Sequence, residues 1–296
     1  MIHNRSFVSS DEELTTLHGG QVFEMAKNFA PHASFSFYQV IDEDGEMPIA
    51  AFSDGISAAI EDQVDIVNIS AGTAWRGPMD ANPYVKEAKR LTKEKITVVA
   101  AAGNDYHQES LPVHCPALLD EIIAVGGCET ICPSSHNIAH TTPMQGPYYA
   151  RPEEGNGVEV DASDTYCGWQ GCENGQGCLS QNSDQPWAGN PRRKNNKPEI
   201  LAPIHYLISE DNGFAFAYGT SFASPIVAGV LAEAYGNLRH EGYPDPNPAE
   251  FKKAIQETSN IIEYNFPPKL NEFKIEKYIK ESIREPSANT ERSQTT

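Results

Sequence analysis

The sequence predicts an α/β fold with a mainly parallel sheet and helices on both faces, and three observations carry that reading. Continuous apolar runs at 66–69, 96–102 and 122–125 are the pattern of strands buried on both faces. Between them lie segments whose apolar side chains recur at helical spacing. With 296 residues the chain is long enough to bury a full core without disulfides or metal.

Each element has its own local reason. Residues 34–41, Ser-Phe-Ser-Phe-Tyr-Gln-Val-Ile, are aromatic and β-branched enough for a strand, and acidic turn residues follow at 42–46. Asp54 is expected to cap a helix through Ile56, Ala59 and Ile60, which leads into the strand at 66–69. Asn82-Pro83 supplies a cap and a first-turn proline for a helix through Val85, Ala88 and Leu91, and the strands at 96–102 and 122–125 come next. From about 128 to 196 the periodicity stops, and Gly, Pro, Asn, Ser and five cysteines mark an irregular insertion. Order resumes with a strand at 199–202. A helix from about Thr220 then carries Ile226, Val227, Val230, Leu231 and Ala234, and a further helix spans about 247–258. Residues 1–285 are read as one domain and 286–296 as a flexible tail.

Charge narrows the partners. Twenty-two basic against 41 acidic residues give a net charge of −19, which repels nucleic-acid phosphates and anionic lipid. No apolar run approaches the roughly 20 residues a membrane-spanning helix needs. The first residues show no basic segment followed by an apolar stretch, so a cytoplasmic location is expected.

The segment Gly219-Thr220-Ser221-Phe222-Ala223-Ser224-Pro225 puts a serine at a glycine-led turn immediately before a buried helix. A helix start offers unpaired N–H groups and partial positive charge, which suit the oxyanion formed when a hydroxyl attacks a carbonyl. Taken alone, Ser221 or Thr220 could equally be a helix cap. Two further segments join it. His18 precedes Gly19-Gly20 and an apolar helix, and Ala101-Ala102-Gly103-Asn104 ends a buried strand in a small-residue turn that presents an amide. All three stand at element ends, which gather at one edge of a parallel sheet, and together they offer a nucleophile, a base and an oxyanion donor.

In these segments the chain resembles the subtilisin-like serine proteases. His18-Gly19-Gly20 is similar to the family's histidine motif, with Gly20 where threonine is usual. Residues 101–104 are similar to its oxyanion segment, and 219–225 match its serine motif apart from Phe222, where methionine is commoner. Residues 55–72 and Lys197-Pro198-Glu199-Ile200-Leu201-Ala202-Pro203 agree as well, so the likeness covers roughly 15–127 and 197–262. It implies a three-layer subtilisin-like fold and serine endopeptidase chemistry. Ser221 would be the acylating nucleophile, His18 the proton carrier and Asn104 an oxyanion donor. Substrate backbone would lie against Ser70, Ala71 and Gly72, and Ala101, Ala102 and Gly103 would line the primary pocket.

The resemblance also implies an aspartate at the end of a first core strand, some thirty residues before the histidine. Only 17 residues precede His18, and the lone aspartate among them, Asp11, sits in a polar run with no strand before it. The chain is therefore expected to be a weak or inactive protease as it stands, unless a second chain supplies the strand. The alternatives are a non-catalytic homologue that binds peptide or a partner chain, or a scaffold whose insertion is the metal- or partner-binding part.

No cofactor is expected. The family commonly holds calcium, but no acidic loop here is specific enough to name. Cys128, Cys132, Cys167, Cys172 and Cys178 with His136 and His140 could offer zinc ligands, yet their spacings do not match paired Cys-x2-Cys sites. Disulfides or thiols are the stronger expectation. Cys115 beside His114 looks like a catalytic pair, but its proline-flanked loop favours a structural role.

Overall fold

A computed structural model describes residues 2–8, 17–104, 113–130, 184–186, 197–210, 213–259 and 270–282. The insertion cysteines at 132, 167, 172 and 178, with His136 and His140, lie outside these residues, as do Asp11 and the tail.

The predicted alternation folds in the predicted order. Strand β1 (Ile2–Ser6) is followed by α1 (Leu17–Phe29), β2 (Phe35–Gln39), α2 (Ile49–Glu61), β3 (Ile66–Ile69), α3 (Pro83–Lys93), β4 (Thr97–Ala101) and β5 (Ile123–Thr130). A short strand β6 (Asp184–Pro186) precedes β7 (Ile200–Pro203), the hairpin β8 (His205–Glu210) and β9 (Gly213–Tyr218), and the helices α4 (Thr220–His240), α5 (Pro248–Thr258) and α6 (Glu272–Ser282). β3, β4, β5 and β7 run parallel in that spatial order, with β6 antiparallel on β5. β1 and β2 form a separate parallel pair.

Alternate residues of each central strand face opposite layers, as strand geometry requires. Val99, Ile123 and Val125 pack with α4 residues Ile226, Val227 and Leu231 and with α5 and α6. Val98, Ala100 and Ala124 pack with Phe52 and Ile56 of α2 and with Val85, Ala88 and Leu91 of α3. The layers are thus helix, sheet, helix. On the first face α1 presses so closely on α4 that a Cβ on Gly229 would lie 2.6 Å from the Ala26 carbonyl oxygen.

Asn82 caps α3 as expected, its side chain accepting from the Tyr84 and Val85 amides. Two expectations fail. α2 begins at Ile49, preceded by Pro48, so Asp54 is an exposed residue inside the helix and not its cap. Proline before a run of Ile, Ala and Ala is the stronger start signal. The hairpin and α6 were not read from the sequence.

A buried ion cluster ties the start of β7 to the sheet. Lys197, 1% exposed, pairs with Glu199 at 2.7 Å and donates to the Ile122 carbonyl. Glu199 also pairs with Lys252 at 2.7 Å and accepts from the Ala124 amide. Burial pushes the Lys197 ammonium down to about 8, against the pull of Glu199.

Candidate functional site

The three predicted segments meet at the start of α4. This 21-residue helix begins at Thr220, with no acidic residue in its first turn to neutralise the dipole. Gly219 before it has φ +150°, a conformation L side chains rarely adopt. A Cβ there would also stand 3.1 Å from Asn104 Nδ2 and 3.5 Å from Ser221 Oγ. Glycine therefore keeps open the space that the amide and the hydroxyl both border.

Asn104 is held by Thr220, whose amide donates to Asn104 Oδ1 at 3.0 Å and whose hydroxyl lies 2.9 Å from the same oxygen. The Thr220 hydroxyl also accepts from the Gly103 amide at 3.1 Å. With Oδ1 fixed in this way, Nδ2 borders the space at Gly219 that Ser221 Oγ also borders. Sequence reasoning treated Thr220 only as a cap and missed this orienting role; its invisible partner lies 116 residues away.

His18 opens α1 and lies edge-on to the Phe222 ring, with centroids 5.1 Å apart. It keeps an exposed edge, while burial of the remainder lowers its pKa from the ordinary imidazole value of 6.5. Phe222 directly follows Ser221 in the chain, and among the described residues no hydrogen bond joins His18 to Ser221. Nor does any described carboxylate bond to His18.

Ser70 ends β3 and joins the sheet to this helix. Pro225 is the sixth residue of α4, deeper than a first-turn proline, and it lacks the N–H that would bond the Ser221 carbonyl. Ser70 Oγ donates to that carbonyl at 2.8 Å in its place, while it accepts from Asn68 Nδ2 and contacts Ser224 Oγ at 3.0 Å. Ala71 and Gly72 continue half-buried from Ser70, and Thr73 forms an antiparallel bridge with Cys115. Ala101, Ala102 and Gly103 are buried, with the His114 ring packed onto Gly103.

Cys115 is a buried free thiol 3.8 Å from Met79 Sδ, and burial pushes its pKa up to about 11. The thiolate is disfavoured, so Cys115 packs and does not attack. Among the described residues no three His, Cys, Asp or Glu side chains cluster as metal ligands, and no helix is long and apolar enough to cross a membrane.

Several known proteins are similar to this chain. The major intracellular serine protease of Bacillus subtilis (strain 168) is 39% identical over 101 residues, which is 33% of this chain and 30% of that protein. Subtilisin DY of Bacillus licheniformis is 30% identical over 102 residues, 34% of this chain and 36% of that one. The matched segments therefore span about a third of the length of these relatives. Among solved structures, a prenylagaramide maturation protease superposes with a TM-score of 0.61 at 19% identity, covering 95% of this chain and 87% of that chain. A lanthipeptide protease gives 0.62 at 18%, covering 94% and 80%. At such identity these two establish the three-layer subtilisin-like fold alone. The profile of the subtilase family (peptidase S8) matches residues 14–282, and the chain belongs to that family.

Proposed function

We propose that this chain is built for serine endopeptidase chemistry on extended peptides, with Ser221 as nucleophile. The observation that carries the reading is the Thr220-held amide of Asn104, which borders with Ser221 Oγ the open space at Gly219 at the start of α4. Ser221 Oγ attacks the scissile carbonyl and His18 takes its proton, then returns it to the leaving amine. The new oxyanion is received by Asn104 Nδ2 and the Ser221 amide, donors fixed before the charge forms. Substrate backbone lies along Ser70, Ala71 and Gly72, and the P1 side chain enters beside Ala101, Ala102 and Gly103. The intracellular location of the Bacillus subtilis relative supports a cytoplasmic one here.

His18 lacks an orienting carboxylate among the described residues, so turnover by these 296 residues is weak. Loss of that partner costs about 10⁴ in kcat in a serine triad. The test is labelling of the folded chain by a fluorophosphonate beside Ser221→Ala, with a peptide-cleavage assay. Slow labelling confined to Ser221 is expected. Labelling that persists in Ser221→Ala, or none in a folded sample, removes Ser221 as nucleophile and leaves a peptide-binding homologue.

A further inference from the structure

β3 and β4 lie side by side with Ile69 opposite Ala100, so the segments that leave their ends, Ser70-Ala71-Gly72 and Ala101-Ala102-Gly103, start from one edge of the sheet. Both segments end in glycine. Residues 113–115 bridge them. The His114 amide donates to the Ala102 carbonyl at 2.8 Å, and Cys115 and Thr73 exchange backbone hydrogen bonds of 2.9 and 3.0 Å. The Leu118 amide in turn donates to the His114 carbonyl at 3.0 Å. The main chain at His114 is therefore fixed to both segments and to the turn that follows it.

Its side chain fits between the two glycines. A Cβ on Gly72 would lie 3.0 Å from His114 Cβ and 3.6 Å from its Nδ1. A Cβ on Gly103 would lie 2.7 Å from Cγ and Cδ2 of the same ring and 2.9 Å from Nε2. Carbon atoms pack at roughly 3.5–4.0 Å, so neither position has room for a methyl group while the ring stands there. Glycine at both places and histidine between them are parts of one arrangement. A pocket lined by Ala101, Ala102 and Gly103 alone would be roomy, but the half-buried imidazole takes up the space that a large side chain would need.

We propose that the His114 ring closes the primary pocket and restricts the residue before the scissile bond to glycine, alanine or serine. This restriction rests on the serine reading, since it has a meaning only where Ser221 acylates. A methyl or hydroxymethyl group makes the smallest demand on the space the ring leaves. A benzyl or isobutyl group has to displace the ring, which has glycine backbone against it on two sides and a fixed main chain behind it. Forcing bulk into a packed site is costly, and discrimination by size in such a pocket amounts to about 10- to 200-fold.

Three tripeptide diphenyl phosphonates test this. They differ only in the terminal side chain, which is the methyl group of alanine, the benzyl group of phenylalanine or the carboxymethyl group of aspartate. Each is reacted with the purified 296-residue chain. In the labelling step Ser221 Oγ bonds to phosphorus and phenol leaves. Companion variants are His114→Ala, which empties the pocket, and His114→Gln, which keeps most of the bulk without an imidazole. The readout is the ratio of labelling rates between probes within one protein, so any loss of folded material or of general reactivity cancels. The parent should take the alanine probe faster than the phenylalanine probe by about 10-fold or more. His114→Ala should reduce that ratio by about 10-fold or more, and His114→Gln should retain it. A parent that takes the phenylalanine probe as fast as the alanine probe overturns the proposal, as does a ratio unchanged in His114→Ala. A parent that takes the aspartate probe fastest, or a ratio lost in His114→Gln, also overturns it, because the chemistry of the imidazole and not its bulk would then select. A small fluorophosphonate, run beside Ser221→Ala, judges the serine reading in the same samples. Its failure on the folded parent removes both readings, whereas Ser221-dependent labelling with three equal probe rates removes the assignment of His114 alone.

Discussion

β4 and β2 are both parallel strands of five residues, yet every residue of β4 is buried while four of the five in β2 are only half-buried. β3 resembles β2 in this, with three of its four residues half-buried although β4 pairs with it. The contrast does not come from residue type, since Ile66 and Val67 are as apolar as Val98 and Val99. It comes from neighbours. β4 has a strand on each side and a helix on each face, whereas β2 and β3 are not paired with each other and both border a cavity of about 1230 Å³. Burial in a parallel sheet is conferred by the next strand as much as by the covering helices.

The largest expected effect measures that contrast directly. Ile123→Ala, in β5 at 2% exposure, removes a side chain enclosed on all sides and should destabilise by roughly 2–5 kcal/mol. Ile66→Ala, in half-buried β3, should cost less than about 1.5 kcal/mol because much of that side chain is already solvated. Denaturant midpoints of the two variants decide it, and equal losses would show that the cavity does not loosen β3.

The closed side also carries the stronger pH signature. Folding lowers the Lys197 pKa from 10.5 to about 8, so between those values the unfolded chain holds a proton that the folded chain has released. The stability contributed by this group therefore rises with pH from about 8 to 10.5, by about 3 kcal/mol at most. Lys197→Met should flatten that rise relative to the parent. A parent and variant whose unfolding free energies track each other across the window would place the proton elsewhere.

What the sequence made legible divides along the same line. The Ser221, Asn104 and His18 segments were readable because each is a short run whose residue types and spacing carry its chemistry. The parallel core was readable because strands buried on both faces leave unbroken apolar runs. Thr220's grip on Asn104 and Ser70's replacement of the Pro225 N–H were not, because both join residues more than a hundred positions apart. The hairpin of β8 and β9 was missed although Asn212-Gly213 is a recognised turn signal, since no element was assigned between the strand at 199–202 and the helix from Thr220. The start of α2 went wrong because Asp54 suits a cap by type while Pro48 suits a start by geometry. The cavity between β2 and β3 had no signal of its own, because a gap between strands contributes no residues to read.

The smallest effect lies on the open side, at His18. A general base must be neutral to accept the Ser221 proton, and partial burial lowers the pKa of this imidazole from 6.5. The acid limb of kcat/KM, or of the fluorophosphonate labelling rate, should therefore fall below pH 6.5 in the chain alone. A carboxylate at the ring favours the protonated form and opposes that shift. A limb above pH 6.5 would therefore mean that a carboxylate reaches His18, and the difference between the two sides of the sheet would then be one of packing and not of catalysis.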